Sequence, residues 1–264
     1  MKHVIENFSN LIRRLLFKLR GLKVGYQNKR FYSLNEINYL QSYKNKNLIK
    51  FVFNKAKKAR KNNLYEQDGK ISEKPRPNKF FINFLLYDYI NEIKLNKKIK
   101  VLDYGGSFGN SFFSLQRFLN LKFNWYVYDQ KSKINLAKKE KIFKPINFIY
   151  QHQVKKNNFY DIILFSTSLQ YLNDPLFTLK TLFNSSKIIL ISNIILTNFK
   201  KNYLRIERPD PTIYNFSYPC WFLSKSILKQ KLKKDFHIEF FKKKNVYPLR
   251  NNESYYDLKL IKKT

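Results

Sequence analysis

The chain has 264 residues, 44% of them hydrophobic and 17% aromatic, which is enough to bury a full-sized core and excludes an intrinsically disordered protein. A net charge of +34 attracts anionic lipid, nucleic acid or an acidic substrate, although a Lys-, Asn- and Ile-rich, Ala-poor composition is also what an AT-rich coding sequence produces. The single cysteine, Cys220, excludes an internal disulfide; no Cys/His cluster has metal-ligand spacing, and no apolar run reaches the roughly 18 residues of a membrane span.

Residues 2–23 read as one amphipathic helix. Val4, Ile5, Phe8, Leu11, Ile12, Leu15, Leu16, Leu19 and Leu22 recur at helical spacing. Lys2, Arg13, Arg14, Lys18, Arg20 and Lys23 cover the other face, and Arg13, Arg14, Lys18 and Arg20 interrupt any signal-peptide core. Such a helix either packs on the protein's own core, lies in a membrane interface or meets a partner. Residues 34–60 are helical by pattern and strongly basic. The polar, proline-bearing stretch SEKPRPNK (72–79) reads as a linker, and KFFINFLLYDYINEIKL after it as a sheet-packing helix. These features divide the chain into a basic helical N-terminal extension, 1–75, and a main domain, 76–264.

From residue 99 strands and helices alternate. Strands are predicted at 99–103, 124–129, 146–150, 160–166, 187–193, 236–241 and 255–261. Helices are predicted near 110–119, 132–140, 174–184 and 224–234, with Pro175 suited to a first turn. The stretch 197–222 reads as irregular and aromatic-rich. The alternation predicts an α/β fold: a Rossmann-like, doubly wound, seven-stranded, mostly parallel sheet.

Three of the chain's six glycines stand in one turn, VLDYGGSFGN (101–110). This is the first strand-to-helix turn, where open α/β sheets take their ligands. Gly105, Gly106 and Gly109 leave bare backbone there. The spacing is G-G-x-x-G, not the G-x-G-x-x-G of a dinucleotide site, and Asp103 precedes the first glycine by two residues. A carboxylate is unwelcome beside a pyrophosphate but suits S-adenosylmethionine, which carries an amino group and a sulfonium and no phosphate. Asp129, at the end of the second of these strands, is placed to accept from ribose hydroxyls.

Four ordered segments, LDYGGSFGNSFF (102–113), WYVYDQ (125–130), STSLQYLNDP (166–175) and IYNFSYPCWF (213–222), resemble class I S-adenosylmethionine-dependent methyltransferases. They are most similar to a methyltransferase family encoded among bacterial surface-polysaccharide genes. The resemblance implies that Asp103, Gly105, Gly106 and Gly109 line the methionine end of the cofactor. It implies that Asp129 takes the ribose, and that Ser166 and Ser168 face the cofactor and the substrate entrance. After the fifth strand the family carries an Asp-Arg-Thr-Pro segment, whereas this chain reads SNIILTN (192–198).

General bases are scarce. Glu207, in RIERPDP, and His152, after the third strand, are the candidates, with His152 better placed to stack near adenine. Gln170 and Tyr171 fall at the site mouth as acceptor contacts. Tyr214, Tyr218 and Trp221 form either a stacking platform for a sugar or base, or a hydrophobic plug. Cys220 reads as a buried filler. The expected function is O-methylation of a sugar or lipid-linked glycan in surface-polysaccharide synthesis. The expected setting is the cytoplasm, at the inner membrane face, with an anionic membrane surface and a glycan as partners. A nucleic-acid methyltransferase and a non-catalytic methyltransferase-like binding module are the alternatives.

Overall fold

The computed structural model describes residues 24–37, 45–67, 69–74, 98–117, 123–156, 159–209, 217–242 and 249–263, together with Ile12, Leu15 and Leu19. These three are helical; the rest of the predicted 2–23 helix, and all of the helix predicted after the linker, lie outside the described residues.

Twelve strands are present in this part of the chain: β1 (Gly25–Tyr26), β2 (Tyr65–Gln67), β3 (Lys70–Ser72), β4 (Ile99–Tyr104), β5 (Phe123–Tyr128), β6 (Ile146–Ile149), β7 (Tyr160–Ser166), β8 (Ser186–Thr197), β9 (Tyr203–Arg208), β10 (Tyr218–Ser224), β11 (Phe236–Lys242) and β12 (Glu253–Lys262). The helices are α1 (Lys46–Lys61), α2 (Asn110–Leu115), α3 (Lys131–Lys138), α4 (Gln151–Lys156), α5 (Pro175–Leu182) and α6 (Lys225–Leu232).

The central sheet runs β6-β5-β4-β7-β8, all parallel, and continues through β12 and β11. β12 is antiparallel to both of its neighbours. These seven strands follow the predicted ones within a few residues. The sheet nevertheless has ten strands, because β10, β9 and β1 are added beyond β8. The predicted irregular stretch therefore holds two strands, whose aromatic and β-branched residues suit a pleated, half-buried surface.

Both faces of the sheet are buried, so its strands read as continuous apolar runs. Val101, Ile162, Leu164, Ile188 and Leu190 face one core, and Leu102, Ile163, Phe165, Ile189 and Ile191 the other. Phe112 and Leu115 of α2 and Ile134 and Ala137 of α3 close the first core; Leu179 of α5 and Leu228 of α6 close the second. Leu48, Val52, Phe53 and Ala56 of α1 also join the first core. This part of the basic extension thus joins the core of the main domain, the Phe53 ring packing on Phe108 and Phe143. Asn45 caps α1, its Oδ1 accepting from the N–H groups of Asn47 and Leu48, which fixes where the helix starts.

β8 is twelve residues long and changes neighbours along its length. β12 lies along it from Ile188 to Thr197 and takes one edge. On the other edge, Ser186–Ser192 pair with β7, but only Leu196 and Thr197 pair with β10. The end of β8 therefore projects past the carboxyl end of β7 and carries an antiparallel layer, β10-β9-β1, beyond the parallel sheet. A bulge lies between the two halves. The register slips between Tyr256 and Leu258, and Asn193 has a left-handed φ of 54°, which re-aims the strand.

Candidate active site

The carboxyl ends of β4, β5 and β7 converge on the glycine turn. Gly105 N–H donates to the Tyr128 carbonyl at 2.7 Å, tying the turn to the end of β5. Gly105 and Gly109 have φ of 76° and 77°, which a side chain would strain. Each glycine also makes room for a group of the protein itself. A Cβ on Gly105 would lie 2.6 Å from Ser168 Cβ, one on Gly106 2.5 Å from Asp103 Cγ, and one on Gly109 2.0 Å from Ile146 Cδ1. The missing side chains thus let Ser168 and the fully buried Asp103 come against the turn. Ser168 Oγ donates to the Tyr104 carbonyl at 2.6 Å and locks the contact.

Asp129, 8% exposed, follows β5. Its Oδ2 accepts from Ser107 N–H at 2.8 Å and its Oδ1 from Gln130 N–H at 2.7 Å. Lys133 Nζ, one helical turn on, lies 3.0 Å from Oδ1. Lys133 Nζ also donates to Oδ2 at 3.1 Å, so the roughly four acceptor positions of the carboxylate are engaged; Asp129 braces the turn, and a hydroxyl donor would take the place of the Lys133 contact. The Lys133 pairing went unrecognised in the sequence, although the i,i+4 spacing carries it. Ser166, half-buried, ends β7 opposite Ser192 of β8. His152 lies exposed on α4, its ring parallel to Tyr150 at 6.1 Å.

The other predicted residues gather where the projecting layer meets the segment after β7. Thr167 has φ of 59°, an outlier for a β-branched residue. It is held by two bonds: its N–H donates to the Ser192 carbonyl at 3.1 Å, and its Oγ1 accepts from Asn193 Nδ2 at 3.0 Å. Gln170 is buried, and its Nε2 donates to the Asn193 carbonyl at 3.0 Å. Tyr171 OH donates to Glu207 Oε2 at 2.6 Å, and its ring meets Tyr218 edge-on at 5.4 Å. Glu207, on β9, is 5% exposed. Trp221 Nε1 donates to the Leu172 carbonyl at 3.1 Å, and its ring packs against the second core. Tyr214 lies outside the described residues. Burial, and then Glu207, push the Cys220 thiol well up, in keeping with a filler.

A buried ion pair secures the projecting layer. Arg205 Nη1 lies 2.6 Å from Glu253 Oε2, and Tyr203 OH donates to Glu253 Oε1 at 2.6 Å. Arg205 also donates to the carbonyls of Gln27 and Tyr26. Each of the three guanidinium nitrogens meets an acceptor, the kind of added hydrogen bonding that offsets the cost of burying a pair. No spacing in the sequence marks this set, because its members come from three distant strands and a loop.

No protein-family model matches the chain, and no curated protein matches it in sequence. The four-segment resemblance to the polysaccharide-cluster family therefore rests on those residues alone. Solved structures share the fold. The N-terminal domain of EvdMO1, crystallised in the presence of S-adenosylhomocysteine and D-fucose, superposes with a TM-score of 0.54 at 13% identity, over 80% of this chain and 97% of that one. The magnesium protoporphyrin IX methyltransferase ChlM from Synechocystis, with bound S-adenosylhomocysteine, gives 0.51 at 12% identity over 83% and 100%. The chain has the α/β fold, with its mostly parallel central sheet, that these two solved structures have.

Proposed function

We propose that the protein is an S-adenosylmethionine-dependent methyltransferase that O-methylates a sugar or a lipid-linked glycan. Asp103, Gly105, Gly106 and Gly109 would hold the cofactor's methionine end, Asp129 its ribose, and Ser166 the floor between them. When bound, the cofactor supplies an activated methyl group on a sulfonium. The fit rests on the donor set: a buried carboxylate under the turn and a second at the end of β5 suit an amino group and a diol. No phosphate-binding G-x-G-x-x-G accompanies them.

The observation that carries the choice of acceptor is the Tyr171–Glu207 pair at 2.6 Å. Tyr171 is three residues from Ser168, which touches the glycine turn. Its hydroxyl orients the Glu207 carboxylate, which accepts the acceptor's hydroxyl proton as the oxygen takes the methyl group. Gln170, Tyr171, Tyr218 and Trp221, with Tyr214, would form the acceptor wall. A sugar is the better acceptor class because a fold neighbour was crystallised in the presence of D-fucose, and because aromatic side chains stack on sugar rings. The charge of +34 suits an anionic membrane surface or a phosphate-linked glycan, and we place the enzyme at the inner face of the membrane.

The purified protein should be incubated with methyl-labelled cofactor and host lipid, glycan and RNA fractions. Label is expected in a glycan or lipid-linked glycan. Label confined to RNA would establish the nucleic-acid alternative, and no transfer with retained cofactor binding would point to a binding module.

A further inference from the structure

Between α1 and α2 is a cleft of about 310 Å³, lined by Arg60, Asn63, Phe113, Gln116, Arg117 and Ile142. Two guanidinium groups share it. Each is held against a ring: Arg60 lies 4.2 Å from the Phe113 centroid and Arg117 4.1 Å from the Tyr65 centroid. Stacking fixes the guanidinium planes and leaves their N–H edges for other partners. Arg60 Nη2 donates to Asn110 Oδ1 at 3.3 Å, while Arg60 Nε is buried with no hydrogen-bond partner. Among the described residues no carboxylate is ion-paired with either arginine.

Two like charges held together and partly dehydrated are unfavourable unless an anion joins them. Arg60 carries the cost of dehydration: burial lowers its pKa to about 10 against the opposing pull of Glu66, which outweighs the further lowering by Arg117. The Glu66 carboxylate is itself engaged, accepting from Gly69 N–H at 2.7 Å. Asn63 and Gln116 add amide groups suited to hydroxyls, and Phe113 and Ile142 supply an apolar wall. The volume is at the lower end of the range for small-molecule sites, larger than a bare phosphate requires.

We propose that this cleft binds a phosphate group carried on a molecule of sugar size, with Arg60 and Arg117 on the phosphate and Asn63 and Gln116 on hydroxyls. None of the lining residues belongs to the cofactor turn, but the cleft adjoins it: Phe113 Cε2 lies 3.6 Å from where a Cβ of Gly109 would stand, and Arg60 bonds to Asn110, the next residue.

Calorimetry on the full chain at about 0.15 M salt, where diffuse surface attraction is screened, tests the idea with glucose 1-phosphate, inorganic phosphate and glucose. The ester should bind saturably, inorganic phosphate more weakly and glucose not at all. R117A should weaken the ester at least tenfold, R117K less, and K201A on the exposed loop after β8 should leave it unchanged. Equal losses in R117A and K201A would show diffuse charge and overturn the site. Inorganic phosphate binding as tightly as the ester would overturn the sugar-sized ligand. In the unmutated protein, the NMR signals of Arg60 and Arg117 Nε should shift together during the titration, and unmoved signals would overturn the assignment even if R117A fails to fold. S-adenosylhomocysteine affinity should be the same in R117A and the parent, so a failure of cofactor binding is read independently.

Discussion

The backbone N–H of Asn193 donates to Asp257 Oδ1 at 2.8 Å, and β8 turns at that bond. The bulge sets two residues, Ser192 and Asn193, against Asp257 alone, so a side chain replaces the missing ladder partner. D257A should therefore lower the unfolding free energy by about 1–3 kcal/mol, the usual cost of an orphaned buried donor. D257N, which keeps an acceptor oxygen, should cost less. Urea denaturation distinguishes them; equal losses would mean that the bulge stands without the bond.

Glu207 and Tyr171 should behave as base and orienter. E207Q should slow methyl transfer about a hundredfold or more, the range for a positioned base, with S-adenosylhomocysteine affinity unchanged. Y171F should fall between E207Q and the parent, because it removes only the bond that aims the carboxylate. Normal turnover by E207Q would assign the proton to another group.

Gly106 tests the turn without invoking backbone strain, since its φ is not left-handed. G106A puts a methyl 2.5 Å from Asp103 Cγ, so the carboxylate must move. The expected outcome is at least a tenfold loss of S-adenosylhomocysteine affinity by calorimetry, in a protein whose circular dichroism matches the parent. Unchanged affinity would remove Asp103 from the cofactor site.

Several buried phenols should titrate late. Burial and the bond to Glu253 push Tyr203 up to about 12, and burial raises Tyr26 well above 10. Between about pH 10 and 12 the unfolded chain releases phenolic protons that the folded chain keeps. Stability from these groups is complete below pH 10 and is lost as pH rises through that window. Ultraviolet titration should show part of the 19 tyrosines ionising only as the fold is lost, and Y203F should reduce the alkaline slope.

Ile12, Leu15 and Leu19 share a helical spacing and are 44%, 56% and 74% exposed. A variant with serine at all three should sediment with anionic vesicles roughly tenfold less than the parent, since apolar insertion and basic attraction act together in an interfacial helix. Equal sedimentation would assign membrane attraction to charge alone.

The parallel sheet was legible because both its faces are buried, so that each strand is an apolar run and each helix a periodic one. The glycine turn was legible because its residues are neighbours in sequence, and Asp174 and Ser224 mark helix starts as caps, accepting from the N–H groups of Phe177 and Ile227. The antiparallel layer was not. β9 carries Arg205 and Glu207 buried between apolar residues. Those charges read as loop until Glu253 and Tyr171, distant in sequence, are seen to meet them. The left-handed Thr167 had no mark at all, because its conformation is imposed by Asn193 and Ser192 across the sheet.

The change of partners along β8 separates two kinds of variation. β10 touches β8 in the ladder only at Leu196 and Thr197, past the point where β7 lets go. Replacing side chains or whole turns of β9 and β10 therefore disturbs none of the pairings that place Asp103, Gly105 or Asp129. A chimera that exchanges residues 203–224 as one cassette thus has both joints outside the parallel sheet, in the loop after β8 and at the start of α6.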